Sequence, residues 1–141
     1  MRVIQLKKFI AMLDEMSVLI HFRAVRTREL IAEIAKHESF NNFIFLNILT
    51  DCMELEDDIS ISWREASKRA IFFNESDKDI LLNVGEQIGN TDVNGQLSMI
   101  AMNRTLAEHN LAQAEDEYRI KGRMLRTVWS LCGLAAGIMI I

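Results

Sequence analysis

From Asn94 to Ile141 nothing in the sequence breaks a helix, and the end of that run carries no charge to hold it in water. The run follows a turn punctuated by Gly85, Gly89 and Asn90-Thr91-Asp92. It passes through a basic knot, Lys121-Gly122-Arg123, and after Arg126 continues as Thr127 to Ile141. Those last 15 residues make roughly 22 Å of helix at ~1.5 Å per residue, short of the ~30 Å hydrocarbon core of a bilayer. Counting from Met124 and letting Arg126 snorkel adds about one turn. Trp129 then falls near the interface, where indoles are favoured. A buried core helix is the alternative, but such a helix normally keeps a polar face, and this one offers little beyond Ser130. The sequence therefore predicts a membrane anchor over 124–141 behind a soluble body over 1–123. Lys121, Arg123 and Arg126 precede the apolar tail and no positive charge follows them, which places the body in the cytoplasm. Gly133 and Gly137 give the anchor a G-x-x-x-G face on which two membrane helices can approach closely, or two small lipid-facing residues.

The body reads as all-α. The 141 residues contain no proline and six glycines, so long helices meet few obstacles and hairpin signals are scarce. Half the residues are hydrophobic and 26% charged, the balance of a globular domain. The net charge of -4 is unevenly spread: residues 1–37 sum to +3, residues 38–98 to -8 and residues 99–141 to +1. A basic start and an acidic middle argue for a polarised surface and against a nucleic-acid partner. Cys52 and Cys132 have no spacing suited to a disulfide or a metal. Residues 2–8 are basic, but Asp14 and Glu15 follow inside an amphipathic pattern that is not a signal peptide.

In chain order the periodicity predicts six helices. The first, Arg2 to Phe22, shows one stripe through Leu6, Ile10, Leu13, Ser17 and Ile20, and a second through Phe9, Met12, Met16 and Leu19. That width suits a central helix. After a joint at His21–Arg26, Thr27 caps a second helix to Lys36, with Leu30, Ile31, Ile34 and Ala35 inward. Ser39 then precedes a third helix over Phe40–Glu54, apolar nearly all round. Glu54-Leu55-Glu56-Asp57-Asp58 forms an acidic linker that lacks the ligand alternation of a calcium loop. Ser62-Trp63-Arg64-Glu65 matches a capping box and opens a fourth helix. Asn74-Glu75-Ser76 ends it, and acids in the first turn open the fifth. Gly85 allows a close helix approach, Gly89 ends the fifth helix, and Asp92 caps the sixth. The sixth turns Leu97, Ile100, Ala101, Ala107, Leu111, Ala114 and Tyr118 inward.

Signals for chemistry are nearly absent. His21, His37 and His109 are scattered without helical partners for a metal. No serine or cysteine sits in a nucleophile elbow, and Gly85, Gly89 and Gly95 lack the G-K-[ST] ending of a phosphate loop. The residues point to neither an enzyme nor a cofactor.

From Leu82 to Gly137 the sequence resembles the stage III sporulation protein AB family. Gly85, Gly89, Asp92, Gln96, Lys121, Gly122, Arg126, Gly133 and Gly137 carry the likeness, and Arg2, Leu6, Leu13 and Ile20 resemble the family's first helix. The resemblance implies a non-enzymatic six-helix bundle at the membrane, similar to the cytoplasmic domains of type II secretion F and type IV pilus platform proteins. Such a protein would act in the mother cell, in the channel complex joining it to the forespore. Its implied partners are a secretion-type ATPase of the sporulation AA family, other channel membrane proteins, the lipid bilayer and further copies of itself. A platform domain of a general secretion or pilus machine is the alternative. Two departures stand out. Members of the family usually begin with a transmembrane segment, which this chain lacks, and they carry Gly and Pro where this chain has Phe22 to Thr27. The charge split points to Glu54, Glu56, Asp57 and Asp58 as the partner-binding edge.

Overall fold

Residues 2–23, 26–90 and 92–140 are described by the structure, a computed structural model; the side chains of Arg23 and of residues 122–140 are not described. Six α-helices and one short 3-10 turn follow in order, with no strand among the described residues: α1 (Arg2–Arg23), α2 (Thr27–Ala35), the turn Glu38–Phe40, α3 (Ile44–Leu55), α4 (Ile59–Arg69), α5 (Glu75–Gln87) and α6 (Val93–Ile140). The chain divides into two compact units, Met1–Leu111 and Ala112–Ile141. The boundary expected after residue 123 falls inside the second unit. No helix among the described residues is long and apolar enough to cross a membrane. The side chains of the proposed anchor lie outside the described residues, as do Ala24 and Val25 of the α1–α2 joint.

In the first unit, both stripes of α1 are used. Leu6, Phe9, Met12, Leu13 and Met16 are each at most 1% exposed, which gives α1 the central position its width requires. Gln5 is also buried, at 3%, and its amide closes the start of α3. Gln5 Nε2 donates to the Asn42 carbonyl at 3.0 Å, and Gln5 Oε1 accepts from the Ile44 amide at 3.0 Å. Helix α3 has no side-chain cap of its own at Phe43, and orphan amides at a buried helix end need a partner. For this reason the expected helix over Phe40–Glu54 begins at Ile44. Phe40 sits in the preceding turn, Glu38–Phe40.

The other end of α3 is closed from outside as well. Arg28 on α2 donates through Nη2 to the carbonyls of Met53 (2.6 Å) and Glu56 (3.0 Å). A cation there meets the negative end of the helix dipole. Helix α2 starts after Arg26 in an extended conformation, with no side-chain cap, so Thr27 is its first residue and not its cap.

The largest correction concerns α4. Asp58, not Ser62, is its N-cap: Asp58 Oδ1 accepts from the Ser60 amide at 2.9 Å. Ser62 and Trp63 lie inside the helix at 1% exposure. Starting α4 earlier puts Trp63 on its buried face, where it stacks edge-on to Phe45 with centroids 5.2 Å apart. A capping box does exist, one helix later. Asn74 Oδ1 accepts from the Asp77 amide, and Asp77 Oδ2 accepts from the Asn74 amide.

Helix α6 buries Met99, Ile100, Asn103, Ala107 and Asn110 within the first unit, so its inner face is rotated from the predicted one. Ala101 is exposed. Two asparagines lie inside because they have partners. Asn103 Oδ1 accepts from Asn83 Nδ2 at 3.0 Å, and its own Nδ2 donates to the Met99 carbonyl. Outside this face, Arg104 donates through Nε to Asp14 at 2.6 Å, and that carboxylate raises the guanidinium pKa further above its ordinary value.

Candidate functional site

Two groups of sequence-predicted residues come into focus. The first surrounds the turn between α5 and α6. Gly85 faces Trp63: a Cβ built there would lie 2.1 Å from Trp63 Cδ1. The ring is held in place because Trp63 Nε1 donates to the Leu81 carbonyl at 2.7 Å. Gly89 has φ +79°, and a Cβ there would meet Thr27 Oγ1 at 3.0 Å. Its left-handed conformation follows the C-cap Ile88 and ends α5. Asp92 caps α6 through the Gly95 amide at 2.8 Å, while the Gln96 amide makes the first helical bond to the Asp92 carbonyl. These four residues hold the turn together. Lys121 is exposed far along α6, and Gly122, Arg126, Gly133 and Gly137 lie beyond the described side chains.

The second group is the acidic run. Glu54, Asp57 and Asp58 are exposed and Glu56 is half-buried where α3 ends and α4 begins. The four acids do not have one role. Glu56 Oε1 accepts from the Asp58 amide at 3.2 Å, and Asp58 caps α4. Glu54 and Asp57 enter no hydrogen bond or ion pair among the described residues, so their charge is available to a partner. A groove of about 300 Å³ opens beside them between α3 and α4, lined by Asp51, Cys52, Leu55, Glu56, Ile61 and Glu65 together with Ser62 and Arg69. Half of that lining comes from α4, and sequence reasoning did not find it.

A wider groove lies between α5 and α6, with Asp79, Asn83, Glu86, Asn103 and Asn110 in its wall. Its amides are already engaged, Asn103 with Asn83 and Asn110 with Ser76 and Asp77. Among the described residues no three His, Cys, Asp or Glu side chains form a group able to hold a metal. The exposed His21, His37 and His109 stand apart on α1, the α2–α3 connection and α6. Two stretches match the N-x-[ST] glycosylation pattern, Asn74-Glu75-Ser76 and Asn103-Arg104-Thr105; the first begins at a helix cap and the second at a core residue, Asn103 at 0% exposure.

The geometry, then, is that of helices presenting a charged edge. A family model for stage III sporulation protein AB matches residues 1–141. The chain belongs to the stage III sporulation protein AB family. A solved structure of a stage III sporulation protein AB shares the fold, with a TM-score of 0.67 at 20% identity over 81% of this chain and 93% of that one. No curated protein sequence matches significantly. Membership makes this a sporulation protein, and its architecture is all-α among the described residues.

Proposed function

We propose that the chain is a membrane-anchored adaptor of the channel complex between mother cell and forespore, and that it docks a secretion-type ATPase of the sporulation AA family. The observation that carries this reading is the family match along the whole chain. The docking edge is assigned to the start of α4 and the end of α3, where Asp51 to Asp58 hold five carboxylates and no basic residue. Charge of one sign on an exposed edge steers a partner of the other sign. The residues from Met124 onward supply the anchor, with the bundle on the mother-cell side of the cell membrane.

Tagged full-length chain, purified in detergent from sporulating cells, is expected to bring the AA ATPase with it. The double reversal Glu54→Lys and Asp57→Lys should reduce recovery by about tenfold without changing helicity, because neither residue supports the fold. Unchanged recovery would place the ATPase elsewhere. The anchor has its own test. The chain should stay in the membrane pellet through alkaline carbonate and leave it in detergent; release by carbonate would show that the tail does not insert.

A further inference from the structure

We propose that the groove between α3 and α4 seats a basic amphipathic helix of the partner, anchored by aliphatic side chains between Leu55 and Ile61. The proposal rests on the adaptor reading above and names what the acidic edge recognises.

Three observations converge on this groove. Leu55 is 94% exposed and Ile61 48%, and both line the same depression. Single exposed aliphatic residues are ordinary, but two flanking one groove form a patch that excludes water only when it is covered. Ser62 also lines the groove at 1% exposure, and its hydroxyl has no hydrogen-bond partner among the described residues. Buried hydroxyls are usually paired, and this one is left without a partner in the wall of the groove. The rim is acidic. Asp51, Glu56 and Glu65 stand in the lining, with Glu54 and Asp57 next to Leu55 and Glu56 in the chain; Asp51, Glu54 and Asp57 are unpaired among the described residues, and the one basic side chain in the lining, Arg69, is tied to Glu65 at 3.1 Å.

These features select the occupant. A bilayer surface or a nucleic acid is anionic and would be repelled. Strand addition needs an exposed sheet edge, and the described residues form no strand. Recognition therefore runs through side chains: a helix lays aliphatic residues spaced three and four apart into the groove and sets lysines or arginines against the rim.

Cys52 lies in the groove and is partly accessible, so it reports occupancy. In full-length chain carrying Cys132→Ser, kept in detergent micelles, the rate of Cys52 alkylation by a maleimide is measured alone and with saturating purified AA ATPase. Binding is checked by co-sedimentation in the same samples. The expected result is several-fold slower alkylation, with Leu55→Asp restoring the free rate and weakening binding about tenfold. Leu55 is too exposed for that change to disturb the core. ATPase that binds while Cys52 reacts at its free rate overturns the groove and leaves the adaptor reading standing. If the ATPase does not bind, a synthetic helical peptide with leucines at three- and four-residue spacing and lysines elsewhere takes its place. Protection by this peptide, and not by its glutamate counterpart, upholds the groove with a different owner of the helix; protection by neither overturns it. Protection that grows with the chain's own concentration would make the occupant a second copy and overturn the assignment to a partner.

Discussion

Gly85→Ala is expected to destabilise the bundle by about 2–4 kcal/mol, although alanine is the better helix former by about 1 kcal/mol. The added methyl would sit 2.1 Å from Trp63 Cδ1, 2.6 Å from Cγ and 2.6 Å from Nε1. Contacts that close are not accommodated by relaxing a flexible chain end, because the obstacle is a ring wedged at 1% exposure between Phe45 and α5. Either α4 and α5 separate or the ring moves. Movement of the ring breaks its hydrogen bond to the Leu81 carbonyl and leaves a buried donor unpaired. Overpacking costs about 1–3 kcal/mol and an unpaired buried polar group a further 1–3 kcal/mol, so the steric loss outweighs the propensity gain. Urea unfolding of the full chain in micelles, followed by circular dichroism, measures the sum. A double-mutant cycle with Trp63→Leu, which vacates the space, should show a coupling of about 1 kcal/mol or more in the rescuing direction. Additive effects, or a stabilised Gly85→Ala, would mean that the α4–α5 contact is looser than described.

Asp77→Ala is expected to cost about 3 kcal/mol. This carboxylate, 1% exposed, joins three elements. It accepts from Arg2 Nε at 2.7 Å and Nη2 at 3.1 Å, from Asn110 Nδ2 at 2.8 Å and from the Asn74 amide at 3.1 Å. Removing one partner of a buried ion pair costs about 3–5 kcal/mol. Arg2, at 19% exposure, can reach some water once its partner is gone, which puts the effect at the lower end. Loss of the reciprocal capping-box bond from the Asn74 amide adds to it. Asp77→Asn keeps one acceptor oxygen but turns an NH2 donor towards donors from Arg2 and either Asn74 or Asn110, so it should recover only a small part of this loss. Asp14→Ala provides the contrast, since it breaks a pair with Arg104 of similar length whose side chains are 53% and 38% exposed. There the loss should stay below about 1 kcal/mol. Equal losses at Asp14 and Asp77 would show that burial does not set the value of these pairs.

These two positions also mark where the sequence could be read and where it could not. Gly85 was legible as a place of close approach, since a glycine inside a strong helical pattern needs a reason. Trp63, its counterpart, was hidden by the Ser62–Glu65 pattern, which looks like a helix start. Asp58 had already supplied the cap, and only burial of Trp63 against Phe45 decides between the two. The breadth of α1, the end of α5 at Gly89 and the start of α6 at Asp92 were legible because periodicity and caps are local. The start of α3 was not, because Gln5 closes it from 39 residues away. Arg2 and Asp77, 75 residues apart, carry no sequence sign of meeting. The acidic run was visible in the sequence, yet the groove beside it was not. Leu55 and Ile61 belong to different helices, and only the turn at Glu56–Asp58 brings them to one depression.

The measurement closest to the central claim is a direct titration of purified full-length chain, in detergent micelles, with purified AA ATPase at low and high salt. The account predicts saturable binding that weakens as salt rises, because an acidic edge meets a basic helix, and it predicts that Glu54→Lys with Asp57→Lys largely removes both the binding and its salt dependence. Absence of saturable binding, or binding of equal strength by the reversed variant at both salt concentrations, would contradict it.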